Sequence, residues 1–131
     1  MIVVDTNVVV RTIVRDDDRQ AQIAEDVLRG AAYLTLTVLI ETEWVLRSRY
    51  GLPRSQLAAA LFELMSFDTI LVEREGTAFW ALERYRLGAD FADMIHIAAG
   101  EQAGSFATFD ANIARRAGEN TPVSVTVLDA S

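Results

Sequence analysis

The chain has 131 residues, 51% of them hydrophobic and 24% charged, which is typical of one folded domain spanning 1–131. It has no cysteine, which excludes disulfides, thiolate metal sites and cysteine nucleophiles. All 12 basic residues are arginine, which excludes a P-loop lysine and a Schiff-base lysine. The net charge of -7 excludes nucleic-acid binding that relies on the overall charge of the protein. A nucleic-acid ligand would therefore require metal ions that supply local positive charge.

No apolar run approaches the roughly 18 residues that are needed to cross a membrane, so no membrane segment is expected. The first residues, Met1 to Asp5, have neither the basic region nor the cleavage site of a secretory signal. Together with the absence of cysteine, these features favour the cytoplasm.

The first half of the chain alternates short apolar runs, which predict buried strands, with apolar residues at helical spacing. Thr6 or Asn7 can cap the first helix, Thr37 the third and Ser55 the fourth, and Gly30 ends the second. The predicted elements are a strand at 2–4, helices at 6–15 and 19–29, a strand at 33–36, and helices at 38–50 and 56–65.

The second half continues the same alternation, and Gly88, Gly104 and Gly118 each follow a predicted helix. Strands that alternate with helices indicate an α/β fold with a mainly parallel sheet. The predicted elements are a strand at 69–72, helices at 76–87 and 91–103, a strand at 105–109, a helix at 111–117 and a strand at 123–128.

Two aspartates, Asp5 and Asp110, directly follow predicted strands and precede helices. Ligands of open parallel sheets bind beyond the carboxyl ends of the strands, so both aspartates are candidate site residues. Aspartate is also common at such positions because it caps helices and tolerates turn geometry.

Glu41 and Glu43 belong to the same predicted helix but have different neighbours. Glu41 lies among Val38, Trp44 and Val45, so we expect it on an apolar face, where a metal ion would balance its charge. Glu43 has Arg47 four residues later, which is typical of an exposed surface pair. We therefore predict Glu41 as a functional residue and Glu43 as a surface residue, the alternative for Glu41 being a carboxylate at the edge of the core.

Asp90 and Asp93 open the predicted helix 91–103, so they fit a helix cap and an acidic first turn. Asp93 also shares a face with Ile97, which favours a functional role, whereas Asp90 stays open between cap and ligand. The single histidine, His96, cannot build a zinc site, and its pattern favours a partly buried core residue.

Oxygen ligands without histidine or cysteine favour Mg²⁺ or Mn²⁺. Several carboxylates in one pocket would repel each other unless a divalent ion were present. Such a site suits hydrolysis of phosphodiester bonds, because the metal activates water and stabilises charge on phosphate oxygens. The predicted ligands and catalytic residues are Asp5, Glu41, Asp93 and Asp110.

Four short motifs resemble those of PIN domains, in the same order along the chain. They are the stretches 1–10 (MIVVDTNVVV), 38–51 (VLIETEWVLRSRYG), 88–98 (GADFADMIHIA) and 107–110 (ATFD). The resemblance spans nearly the whole chain and puts Asp5, Glu41, Asp93 and Asp110 in the metal-ligand positions. Thr42 departs from the family, in which an apolar residue is commoner beside the glutamate.

A chain of this length with no further module resembles the VapC toxins of toxin–antitoxin pairs. The resemblance implies a PIN-like three-layer α/β fold, with a five-stranded sheet of order 3-2-1-4-5 and helices on both faces. It implies a Mg²⁺- or Mn²⁺-dependent endoribonuclease that acts on RNA, is usually a homodimer and is inhibited by a VapB-type antitoxin. The residues that would support the acids are Thr6, Asn7, Asp90 and Thr108.

Two surface predictions concern RNA and the dimer. Arg115 and Arg116 follow Asp110 closely and are candidate phosphate contacts, the alternative being that they pair with surface acids or the end of their helix. Large apolar residues in helices 56–65 and 76–87 exceed what a thin domain covers easily, which favours a symmetric dimer. These residues are Leu57, Leu61, Phe62, Leu64, Met65, Phe79, Trp80 and Tyr85.

Other functions fit less well. A catalytically silent PIN-like binding module is the main alternative, although all four acids are present. A phosphoaspartate receiver needs a lysine, which the chain lacks. A haloacid dehalogenase needs Asp-x-Asp after the first strand, and Asn7 replaces the second aspartate.

Overall fold

A computed structural model describes residues 1–129 of the chain. The described residues form seven α-helices and five strands, and every pair of neighbouring strands is parallel. The prediction of an α/β fold is therefore confirmed. The chain divides into two compact units, Met1–Glu75 (unit 1) and Gly76–Ser131 (unit 2). None of the described helices is long and apolar enough to cross a membrane.

Both units contain one or two helices between successive strands, and α5 begins at the last residue of unit 1. Unit 1 contains β1 (Ile2–Val3), α1 (Thr6–Val14), α2 (Asp18–Arg29), β2 (Ala32–Leu34), α3 (Leu36–Ser48), α4 (Arg54–Met65) and β3 (Ile70–Val72). Unit 2 contains α5 (Glu75–Arg86), α6 (Phe91–Ala99), β4 (Ser105–Thr108), α7 (Ala111–Ala117) and β5 (Ser124–Val127).

Unit 1 has a three-stranded parallel sheet in which β2 lies between β1 and β3. Ile2 pairs with Ala32, which in turn pairs with Ile70. Apolar side chains of α1 to α4 are buried in this unit, among them Val9, Leu39 and Leu61. This core fixes α1, which Asp5 caps, and α3, which carries Glu41.

Unit 2 has a two-stranded parallel sheet, in which Ser105 pairs with Ser124 and Thr108 with Val127. Its core contains the rings of Tyr85 and Phe91, whose centroids lie 5.2 Å apart at an interplanar angle of 59°. This tilted arrangement is favourable for two aromatic rings. It joins the end of α5 to the start of α6, the helix that carries Asp93.

The strand order differs in detail from the predicted order 3-2-1-4-5. The neighbours 3-2-1 and 4-5 are found, but the strand pairings of the described residues do not include one between β1 and β4. β1 has only two residues, Ile2 and Val3, and both are exposed. So short a strand has few backbone N–H and C=O groups on its second edge with which another strand could pair.

Most predicted element boundaries are correct within one or two residues. The caps of α1 and α3 and the end of α6 differ from the prediction, each for a local reason. Asp5, not Thr6 or Asn7, caps α1, because its carboxylate accepts the backbone N–H of Thr6. Thr35, not Thr37, caps α3, because its hydroxyl accepts the backbone N–H of Val38. The helix predicted at 91–103 ends at Ala99, because Gly100 forms a turn there.

The apolar residues on which the dimer prediction relied are mostly buried within the chain itself. Leu57, Leu61, Leu64, Met65 and Tyr85 are buried, and Phe79 and Trp80 are half-buried. Phe62, at 58% exposure, is the member of the predicted set that faces solvent. The premise of a broad uncovered face on these two helices was therefore wrong.

Candidate active site

In unit 1, one threonine contacts both predicted acids. The carboxylate of Asp5 accepts the backbone N–H of Thr6 at 2.7 Å, which caps α1. The hydroxyl of Thr6, a buried residue, donates a hydrogen bond to Glu41 on α3. Asp5 and Glu41 are both exposed, and each uses one oxygen in these contacts. The structure thus brings these two acids together within the unit.

The face that α3 presents to the core differs from the prediction. Glu41 is exposed and Trp44 is 51% exposed, whereas Glu43 is 5% exposed. Glu43 pairs with Arg47, whose Nε lies 2.7 Å from its Oε2. The expectation that Glu41 lies on a buried apolar face and Glu43 on the surface was wrong, although the Glu43–Arg47 pair exists. Glu41 depends on Thr6 for its position, not on burial.

Thr42, the residue between the two glutamates, is fully buried, and its hydroxyl has no hydrogen-bond partner among the described residues. A buried hydroxyl without a partner reduces stability, because it has lost its hydrogen bonds to water. An apolar residue would fit this position better, in line with the departure from the family motif.

In unit 2, Asp90 is a helix cap. Its Oδ2 accepts the backbone N–H of Asp93 at 3.0 Å at the start of α6. Asp93 is half-buried and lies in the first turn of that helix. Asp90 is therefore the helix cap and Asp93 the acidic first-turn residue that the sequence pattern also allowed.

Asp110 caps α7 through a hydrogen bond of 2.8 Å from the backbone N–H of Asn112. The hydroxyl of Thr108 accepts the backbone N–H of Asp110 at 3.0 Å. Thr108 ends β4, so the strand and the helix both fix the position of this exposed aspartate.

The electrostatics of unit 2 link its acids. Partial burial raises the pKa of Asp93 above its ordinary value, and the negative charges of Asp90 and Asp110 raise it further. His96, one turn along α6, opposes the shift. This histidine is exposed, so the expectation of a partly buried core residue was wrong. Asp93 thus lies near other negative charges, and a bound cation would reduce the repulsion between them.

The other predicted residues occupy different surroundings. Asn7 is exposed in the first turn of α1. Arg115 donates a hydrogen bond to Asn112 on its own helix. The guanidinium of Arg116 lies against Gly88. The sequence pattern marks Gly88 only as the end of a helix, and its contact with Arg116 and its positive φ of 116° are seen only in the structure.

The donor set suits a hard divalent cation, because every predicted ligand is a carboxylate and neither cysteine nor a second histidine is present. Each unit supplies two such carboxylates and fixes them by hydrogen bonds to backbone or hydroxyl groups. No group of three or more acidic or histidine side chains among residues 1–129 is arranged so that it could hold a metal ion.

The family profile of the PIN domain matches residues 2–119, which is most of the chain and includes all four predicted acids. The chain belongs to the PIN domain family. No individual curated protein and no solved structure shows significant similarity to it. PIN domains are generally nucleases that use divalent metal ions, so a nuclease-type function follows for this PIN domain at the level of the family.

The buried pair on α3 predicts a stability effect for Glu43→Gln. The neutral amide should lower the free energy of unfolding by about 1–2 kcal/mol, because it weakens a charge-assisted hydrogen bond of a buried carboxylate. Glu83→Gln is the matched control, since Glu83 pairs with Arg86 but is exposed, and it should cost only a few tenths of a kcal/mol. Urea unfolding of both variants measures the difference, and equal costs would contradict the assigned burial.

The raised pKa of Asp93 predicts a pH-dependent effect of Asp93→Asn in metal-free protein. A raised folded-state pKa means that the carboxyl stabilises the fold when protonated, and that this contribution disappears as the pH rises through that pKa. The variant should therefore be more stable than the parent at pH 7, by roughly a few tenths of a kcal/mol after solvent screening. The gain should shrink as the pH falls to about 3.

Thermal unfolding in EDTA at several pH values tests this prediction. Glu119→Gln, a change at an exposed acid of the same unit, serves as the control. A loss of stability at pH 7 would mean that the attraction between Asp93 and the start of α6 outweighs the repulsion by Asp90 and Asp110.

Proposed function

We propose that this PIN domain is a metal-dependent endoribonuclease, the toxin of a VapBC-type toxin–antitoxin pair. The observation that carries the proposal is that Thr6 binds Asp5 and Glu41 together, in a chain whose family consists largely of metal-dependent nucleases. The acids of unit 2 add support, since Asp90 and Asp110 shift the pKa of Asp93 as expected for neighbouring carboxylates.

The proposed ligands are Asp5 and Glu41 of unit 1 and Asp93 and Asp110 of unit 2. Their hard oxygen donors suit Mg²⁺ or Mn²⁺. When bound, such an ion lowers the pKa of a coordinated water and stabilises negative charge on phosphate oxygens.

The contribution of the protein's own residues is to hold the carboxylates in place. Asp5 and Asp110 each give one oxygen to a backbone N–H, which fixes the side chain and leaves the second oxygen for a ligand. The hydroxyl of Thr6 does the same for Glu41. In the proposed site these contacts reduce the ordering that metal binding would otherwise require.

The proposed partners rest on the resemblance to VapC toxins. They are an RNA substrate, a VapB-type antitoxin and a second copy of the chain, and the proposed location is the cytoplasm. The buried state of most apolar residues on α4 and α5 removes the earlier sequence argument for the dimer, so the homodimer rests on the family alone. The mass of the protein at micromolar concentration, alone and with the antitoxin, tests both protein partners.

The second candidate is a PIN-like module that binds RNA without cleaving it. The observation in its favour is that no three acidic side chains of the described residues form a metal-binding group. It predicts RNA binding that continues in EDTA and no cleavage with any divalent ion.

The test of the proposed function is cleavage of single-stranded RNA by the purified protein in Mn²⁺ or Mg²⁺, with EDTA as the metal-free control. Asp5→Asn should reduce cleavage at least about 100-fold, because loss of a ligand should exceed the effect of losing a residue that supports one. Asparagine caps helices as well as aspartate does, so α1 should remain intact.

The matched control is Asp17→Asn. Asp17 caps α2 with its carboxylate, as Asp5 caps α1, although it accepts the backbone N–H three residues later, that of Gln20, at 3.1 Å. This variant should retain full activity, which would show that a change of cap chemistry alone is harmless. Cleavage by the Asp5→Asn variant at the parent rate would remove Asp5 from the site, and absence of cleavage by the parent would favour the binding module.

A further inference from the structure

Two arginines and two glycines form reciprocal contacts in unit 2. Gly88 follows α5 and Gly118 follows α7, and both have positive φ, at 116° and 79°. A Cβ on Gly88 would lie 2.8 Å from Nη1 of Arg116, and a Cβ on Gly118 would lie 3.0 Å from Nη2 of Arg84. Arg116 of α7 therefore lies against the glycine that follows α5, and Arg84 of α5 lies against the glycine that follows α7. We call these four residues the Arg–Gly clamp.

The clamp includes a directional bond. Nε of Arg84 donates a hydrogen bond of 2.7 Å to the backbone carbonyl of Arg116. The backbone of Arg84 also closes the end of α5, because its carbonyl accepts the N–H of Ala89 at 2.9 Å while Tyr85 accepts the N–H of Gly88 at 3.0 Å. These two bonds form a Schellman motif, which requires the left-handed side of backbone space at Gly88.

The clamp connects the two segments that carry the acids of unit 2. On one side, Gly88 lies two residues before Asp90, which caps α6 and accepts the backbone N–H of Asp93. On the other side, Arg116 lies on α7, the helix that begins at Asp110. A change in the clamp would therefore move the start of α6 relative to α7, and with it Asp93 relative to Asp110.

We propose that Arg84 and Arg116 are positioning residues that set the separation of Asp93 and Asp110, and that Arg116 serves this role instead of contacting RNA phosphate. The proposal rests on the proposed metal-dependent function. It reassigns Arg116, which its position in the sequence had made a candidate phosphate contact. Arg115, which is paired with Asn112, is not part of the clamp.

The shape of arginine distinguishes the two roles of Arg116. A planar guanidinium can lie flat on a glycine backbone while its Nε–H points in a fixed direction, and lysine can do neither. The salt dependence of a phosphate contact follows the positive charge, which lysine keeps, so an Arg-to-Lys change at such a contact would preserve the salt slope even where it weakens binding. Arginine-to-lysine variants therefore separate positioning from phosphate binding without a change of net charge.

The experiment compares Arg84→Lys, Arg116→Lys and Arg116→Ala with the parent protein. Mn²⁺ affinity is measured by titration calorimetry without RNA, and kcat and KM are measured on single-stranded RNA. RNA binding is measured in Ca²⁺ at several salt concentrations. Arg86→Lys is the matched control, because Arg86 lies two residues from Arg84 on α5 and forms an exposed pair with Glu83.

The clamp predicts that both lysine variants lose at least about 10-fold in Mn²⁺ affinity and lose kcat, the size of effect seen for residues that support ligands. KM and the salt dependence of RNA binding should stay at the parent values, and Arg86→Lys should match the parent throughout. The double variant Arg84→Lys/Arg116→Lys should lose no more Mn²⁺ affinity than the more severe single variant, because both changes disrupt the same clamp.

Three results would overturn the proposal. The first is parent-like Mn²⁺ affinity in both lysine variants. The second is a salt slope that falls by roughly 1 in Arg116→Ala and is restored in Arg116→Lys, which identifies a phosphate contact. The third is a parent protein that binds no Mn²⁺, which defeats the proposed function and the clamp together. Thermal unfolding of each variant confirms that the assays measure folded protein.

Discussion

The free N–H groups at the starts of the helices are the constraint on which the acidic residues depend. The first turn of any helix has backbone donors without helical partners, and aspartate satisfies them from the residue just before the helix. Asp5, Asp90 and Asp110 do so for α1, α6 and α7. Their carboxylates are therefore fixed by the fold itself. The positive end of each helix also favours the charge that a cation site needs nearby.

Capping has a consequence for chemistry, because a capping carboxylate uses one oxygen and keeps the other. Under the proposed function, Asp5 and Asp110 contribute to stability and to the metal site at the same time, and asparagine separates the two roles since it keeps the cap but not the charge. Glu41 is not a cap and needs a different device, the hydroxyl of Thr6. Thr6 follows Asp5 directly, so one short stretch of chain fixes two acids.

The sequence predicted what depends on local pattern and failed where the outcome depends on packing between distant segments. The element order, the caps of α6 and α7 and the family all follow from short motifs. The buried face of α3 could not be predicted from the sequence, because apolar residues lie on several sides of this helix and the polar residues Thr42 and Glu43 are buried as well. Glu43 could be buried since Arg47 balances its charge, and the same spacing is typical of an exposed pair. The Arg–Gly clamp joins residues about thirty positions apart and leaves no periodic signal.

Charge limits the ways in which an acidic PIN domain can hold RNA. Arg11, Arg15, Arg29, Arg47 and Arg86 form ion pairs with carboxylates of the chain. Each of them would have to exchange a carboxylate for a phosphate, which gains little because one ion pair is lost for each that forms. Arg84 and Arg116 are engaged with each other's helix ends. Under the proposed function, the divalent ion adds a local attraction for phosphate that these seven arginines do not provide. Metal and RNA binding are then coupled, and each must strengthen the other by the same factor.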